Sequence, residues 1–184
     1  ALADPHGEIR KAAAQALGRI GAREAVPALV ARLTDPEIEV RQEAARALAK
    51  GGREAVGPLL LRLQDPAEDR AVRLQAAQSL RIIGDPSAAP PMIAVLADDD
   101  RAVRQELAWT LSHWDNDPIV ARAIIEALGS EEPRIRRGAA TALTIDLHKV
   151  LTLGQAGADL LLPALESGDV VVRRAAAQAV ERLA

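Results

Sequence analysis

Apolar residues recur at helical spacing from the first turns of the chain. Ile9, Ala13, Ala16, Leu17 and Ile20 fall on one face of a helix, and Val26, Leu29, Val30 and Leu33 fall on one face of a second. Asp4 before Pro5 predicts the start of the first helix, because a carboxylate accepts from free helix N–H groups and proline suits the first turn. Gly21 predicts its end. Pro27 stands early in the second helix, where a missing N–H costs least. The two helices predict a hairpin.

The phrase then returns. The dipeptides Ile9-Arg10, Val40-Arg41, Val72-Arg73, Val103-Arg104, Ile135-Arg136 and Val172-Arg173 anchor six copies at intervals of 31, 32, 31, 32 and 37 residues. A two-helix hairpin cannot bury both stripes alone, so copies at a fixed period must stack on their neighbours. The Ala-Ala pairs at Ala13, Ala44, Ala76, Ala139 and Ala176 suit inner helices whose backbones approach closely. The expected fold is all-α, a right-handed α-solenoid of about five to six stacked helical hairpins, forming a single domain over residues 1–184. The chain starts before one Val-Arg helix and stops inside another, so it is expected to lack terminal caps and either to belong to a longer protein or to associate end to end. The segment from Thr144 to Gly168 breaks the period by about six residues. Gly154 and Gly157 are expected to interrupt its outer helix, as a longer loop or a bend.

This pattern of Asp-Pro, Val-Arg, Ala-Ala, Ala-Leu, Gly and Ala-Val-Pro before a Leu-rich helix resembles the short HEAT repeats typified by phycobilin lyase subunits. The resemblance runs from Asp4 to Leu143 and resumes at Asp169. It implies that the Val-Arg helices line a concave side, and that their arginines pair with loop aspartates in a ladder along the stack. Asp4 with Arg10, Asp35 with Arg41 and Asp98 with Arg104 fit, each aspartate six residues before its arginine. Asp65 lies eight before Arg73, and Ser130 and Ser167 occupy the six-residue position of the fifth and sixth copies. The resemblance specifies fold and says little of function.

Composition narrows the chemistry. Half of the 184 residues are apolar, yet Phe and Tyr are absent, Met occurs once, and Trp109 and Trp114 are the only large rings. Without cysteine there are no disulfides and no thiolate metal sites. No run approaches the roughly 18 apolar residues of a membrane span, and the N-terminus shows no signal pattern, so a cytoplasmic location is the default expectation. None of His6, His113 and His148 is followed by Glu, unlike the His-Glu pairs that bind iron in the HEAT-like deoxyhypusine hydroxylases. Zinc-helix, phosphate-loop and nucleophile-elbow motifs are missing too. The run Asp98-Asp99-Asp100 lacks calcium-loop spacing and reads as a turn with a helix cap rather than a metal site. No residue matches the HEAT-like DNA glycosylases closely enough to carry over a role. No catalytic group, metal or cofactor is expected.

What remains is the groove. If the Val-Arg helices face inward, the positions on their open face include ten lysines and arginines against four glutamates, although the whole chain has a net charge of −3. Trp109 shares the register of Gln15, Arg46, Gln78, Thr141 and Gln178, all polar, which marks it as a surface anchor; Trp114 shares that of Ile20 and Ile83 and is expected in the core. Trp109, His113, Arg46, Lys50, Gln78, Glu106 and Thr141 are therefore the candidate partner-binding residues. The leading expectation is a non-catalytic scaffold that binds a protein or peptide partner in this groove. Two alternatives stand beside it: nucleic-acid binding through the basic face, which the interleaved Glu39, Glu43 and Glu106 weaken, and a bilin-lyase-like subunit acting with a partner chain, from the resemblance alone.

Overall fold

A computed structural model describes residues 1–114 and 117–183. Among them are twelve α-helices and no strand. The chain divides into two compact units, Ala1–Asp85 and Pro86–Ala184. Each is built of stacked helical hairpins, the all-α solenoid class expected from the repeats.

The first unit holds α1 (Gly7–Ile20), α2 (Val26–Ala31), α3 (Ile38–Lys50), α4 (Val56–Gln64) and α5 (Arg70–Ile83). The inner helices α1, α3 and α5 lie in one row and the outer helices α2 and α4 in another. The closest hairpins straddle the Asp-Pro turns: α2 packs on α3 and α4 on α5. Val40, Ala44 and Leu48 of α3, and Val72, Ala76 and Leu80 of α5, are fully or almost fully buried. Burying one of these valines or leucines stabilises the fold by about 1.5–3 kcal/mol.

The same stripe in α1 does not follow suit. Ile9 is 45% exposed and Ile20 75% exposed. Among the described residues no outer helix precedes α1 to cover them. The helix instead buries Gly7, Arg10, Ala14 and Gly18, a face displaced from the expected stripe, and packs on α3. The approach is tight enough that a Cβ on Gly18 would lie 2.8 Å from the Ala47 Cα. Gly21 ends α1 in the left-handed region at φ 65°, which glycine adopts at no steric cost.

The second unit holds α6 (Ala89–Ala94), α7 (Arg101–His113), α8 (Pro118–Ala127), α9 (Pro133–Ile145), α10 (Lys149–Leu153), α11 (Gln155–Leu165) and α12 (Val170–Leu183). Its inner row is α7, α9 and α12, and its outer row α6, α8 and the α10–α11 pair. The irregular segment is an outer helix broken in two at Gly154, whose φ of 53° and ψ of −132° no helix accommodates. Gly157 is not a second break. It lies buried inside α11, where a Cβ would come within 3.0 Å of the Val150 carbonyl oxygen. The α10 segment is pinned by Lys149, whose side chain is almost fully enclosed and whose Nζ donates to the Trp114 carbonyl at 2.6 Å. Trp114 itself is core, as its register predicts.

Candidate functional site

The repeat turns set the inner helices, and their geometry differs from the expected start. Asp4 does not cap α1. Its carboxylate accepts from the His6 N–H two residues on, and the helix begins at Gly7. The same short turn recurs at Asp35, Asp65, Asp98, Ser130 and Ser167, each accepting from the backbone N–H two residues later. A hydroxyl makes this turn as a carboxylate does, so serine substitutes in the last two repeats. In three of the inner helices the cap lies two residues further on, at Asp100, Glu132 and Asp169, and in α5 it lies four residues past the Asp65 turn, at Asp69. The acidic run is thus a turn at Asp98 and a cap at Asp100.

The anchor arginines also differ from expectation. Arg10, Arg41, Arg104, Arg136 and Arg173 donate through Nη1 to the backbone carbonyl six residues earlier, at 2.5–2.9 Å, and not to a carboxylate of their own repeat. Any residue supplies a carbonyl, which is why Ser130 and Ser167 keep the contact. The carboxylate rung runs to the next repeat instead: Arg10 holds Asp35 with two bonds of 2.7 and 2.8 Å, and both side chains are buried. The Arg10 guanidinium holds the Asp35 carboxyl below the usual carboxylate range. In the second unit Arg137 does the same for Asp169 across 2.6 Å.

Among the described residues, open depressions lie between neighbouring inner helices in each unit. In the first unit, α1 and α3 flank one lined by Gln15, Arg19, Glu43, Arg46, Lys50 and Ile82 over a floor of Ala14, Gly18 and Ala47. Arg46 pairs there with Glu43, which reduces the cationic surplus read from the sequence. In the second unit, α7 and α9 flank one lined by Arg101, Arg104, Gln105, Arg134, Arg137 and Thr141. It has four arginines and no acid in its lining. Arg104 was not among the groove positions expected from sequence, because its register reads as a ladder position.

The candidate residues separate accordingly. Arg46 and Lys50 come together in the first depression, and Thr141 lines the second, its hydroxyl turned back to the Arg137 carbonyl. Gln78 accepts from Gln75, and it and Glu106 lie outside both linings. Trp109 and His113 form a pair of their own on α7. Trp109 is 40% exposed, and its ring stacks on the His113 ring with centroids 4.1 Å apart. His113 Nδ1 in turn lies 2.9 Å from the Trp109 carbonyl oxygen, which holds the imidazole against the indole. Among the described residues no cluster of His, Asp and Glu has the makings of a metal site. No helix among them is long and apolar enough to cross a membrane.

None of the curated protein sequences matches this chain. Solved structures do. Human deoxyhypusine hydroxylase, in complex with glycerol, aligns over 99% of this chain and 81% of its own at 20% identity and a TM-score of 0.53, a likeness of fold alone. The CpcE–CpcF complex of phycocyanin lyase from a Nostoc species aligns over 99% and 74% at 29% identity and a TM-score of 0.49. An engineered protein aligns over 99% and 93% at 25% identity and a TM-score of 0.46. The sequence pattern of HEAT repeats matches residues 1–80, 51–112, 65–144 and 89–181, and with the repeated inner and outer helices now in place the chain belongs to the HEAT-repeat family.

Proposed function

We propose that the chain is a non-catalytic scaffold that binds a protein or peptide partner along the open face of its inner helices. The observation that carries this reading is the Trp109–His113 stack. A large ring at a register otherwise held by polar residues stays 40% exposed and is ordered by an imidazole, so little side-chain freedom is lost when a partner covers it. The exposed position and the neighbouring cations of α7 suit a partner that offers an apolar anchor beside acidic groups.

The test places a photocrosslinking side chain at Trp109 and, as a control, at Ile119, which is exposed on the outer helix α8 of the same unit. A discrete protein adduct from lysate of the source organism at the inner position, absent at the outer one and competed away by unlabelled wild-type chain but not by Trp109→Ala, supports the scaffold. Identical adducts at both positions would remove it. A second reading, nucleic-acid binding, draws on the four arginines of the α7–α9 depression. It requires log affinity to fall steeply and linearly with log salt, whereas a shallow slope belongs to a protein partner.

A further inference from the structure

The depression between α7 and α9 has more to say about the partner than the Trp109 stack does. Its four arginines are not equivalent. Arg137 is committed to Asp169, whose side chain is only 8% exposed and also caps α12. Arg104 is committed to the carbonyls that begin its own helix. Arg134 is held by Asp99 and donates to the Ala97 carbonyl at 3.2 Å, but that carboxylate is 96% exposed and is easily replaced. Arg101 is exposed in the first turn of α7, with no partner found among the described residues. The two exchangeable cations therefore stand on adjacent inner helices, one on each side of the depression. Gln105 and Thr141 supply polar groups between them.

Packed helices stand about 8–10 Å apart. An extended chain in the polyproline II conformation rises about 3.1 Å per residue with three residues per turn, so side chains three apart share a face at roughly 9 Å. The two periods match. We infer that the α7–α9 depression takes an extended acidic segment of a protein partner, with carboxylates three residues apart meeting Arg101 and Arg134, the latter exchanging Asp99 for the incoming group. Guanidinium is the cation suited to this, since its planar fork takes a carboxylate with two parallel bonds. The inference rests on the scaffold reading and specifies the chemistry of its partner.

The experiment uses the whole chain and a fluorophore-labelled peptide with glutamates at three-residue spacing on a proline backbone, followed by anisotropy. A composition-matched peptide with its glutamates adjacent and a single-stranded oligonucleotide serve as competitors. The spaced peptide should bind, and Arg101→Ser with Arg134→Ser should weaken it about tenfold or more. Both side chains are exposed, so unchanged far-UV circular dichroism is expected of the double variant. Reversing both charges, Arg101→Glu with Arg134→Glu, should transfer binding to the lysine analogue of the peptide. Equal binding of spaced and adjacent peptides, or no loss in the serine variant, would overturn the inference. Displacement of the peptide by the oligonucleotide at far lower concentration would assign the depression to nucleic acid instead. If the peptide fails while the Trp109 crosslink persists, the acidic segment is wrong and the scaffold stands.

Discussion

Truncation of Leu80 measures the repeat packing directly. The side chain is fully buried on α5, which packs on α4, where Leu59 and Leu63 are fully buried as well. Leu80→Ala removes three carbons from the core, a transfer loss of about 2.4 kcal/mol at about 0.8 kcal/mol per carbon. The vacated space adds about 24 cal/mol for each Å³ that does not collapse. Collapse is limited here, because the adjoining inner-face residues Ala76 and Ala77 are small and already at close approach. The sum is about 3–5 kcal/mol, enough to lower a urea midpoint by about 1 M or more. Circular dichroism is the required readout, since Trp109 and Trp114 both lie in the second unit and their fluorescence reports only there. Ile82, two residues along the same helix and 56% exposed, is the internal control: Ile82→Ala should cost about 1 kcal/mol or less. A loss below about 0.5 kcal/mol for Leu80→Ala, or an Ile82→Ala effect as large, would refute the assigned stripe.

Two glycines make opposite predictions. Gly18→Ala should destabilise the first unit in thermal melts despite alanine's better helix propensity, because its Cβ meets the Ala47 backbone, whereas Gly57→Ala on α4 meets nothing within 4 Å and should stabilise by about 0.5–1 kcal/mol. The Asp35 carboxyl is held below its ordinary value by Arg10, so the stability it contributes is complete above the unfolded value of about 3.9 and is lost as pH falls through the lower folded value. Asp35→Asn should therefore melt below wild type at neutral pH, with the gap closing as pH drops under about 4; a constant gap would contradict the linkage. Trp109→Ala should leave the unfolding free energy from urea titration within about 0.5 kcal/mol of wild type while weakening partner binding roughly 30-fold. An equally large loss of stability would place the ring in the core instead.

The period and the two helix rows were legible because burial needs a repeating stripe, and Val40, Val72, Val103 and Val172 all end in the core. The Asp and Ser residues six before the anchors were equally visible. Their role was not, because a carboxylate is the obvious partner of an arginine, and only the folded geometry separates a carbonyl contact from a carboxylate one. The α1 stripe misled for a different reason. Periodicity identifies which face is apolar but not whether an element stands opposite to cover it. Of the site, register correctly marked Trp109 as exposed and Trp114 as buried. Register gives no information on the turn-borne acids Asp99 and Asp169, which decide how much of each arginine remains for a partner.

The enclosure of Lys149 in the irregular segment gives the protein a chemical clock. The chain has only three lysines, Lys11, Lys50 and Lys149. Lys50 is exposed and Lys11 half-buried, both in the first unit, while Lys149 has no surface accessible to solvent. An amine-reactive reagent meeting the native protein must therefore acylate the first unit at once and reach the second only when α10 lifts from the Trp114 carbonyl. The rate at which Lys149 itself is acylated, followed by peptide mass spectrometry at increasing reagent concentration, reads the opening frequency of the broken outer helix directly. No probe need be engineered for it, and the accessible amines of the first unit tether the molecule to a surface by that unit alone.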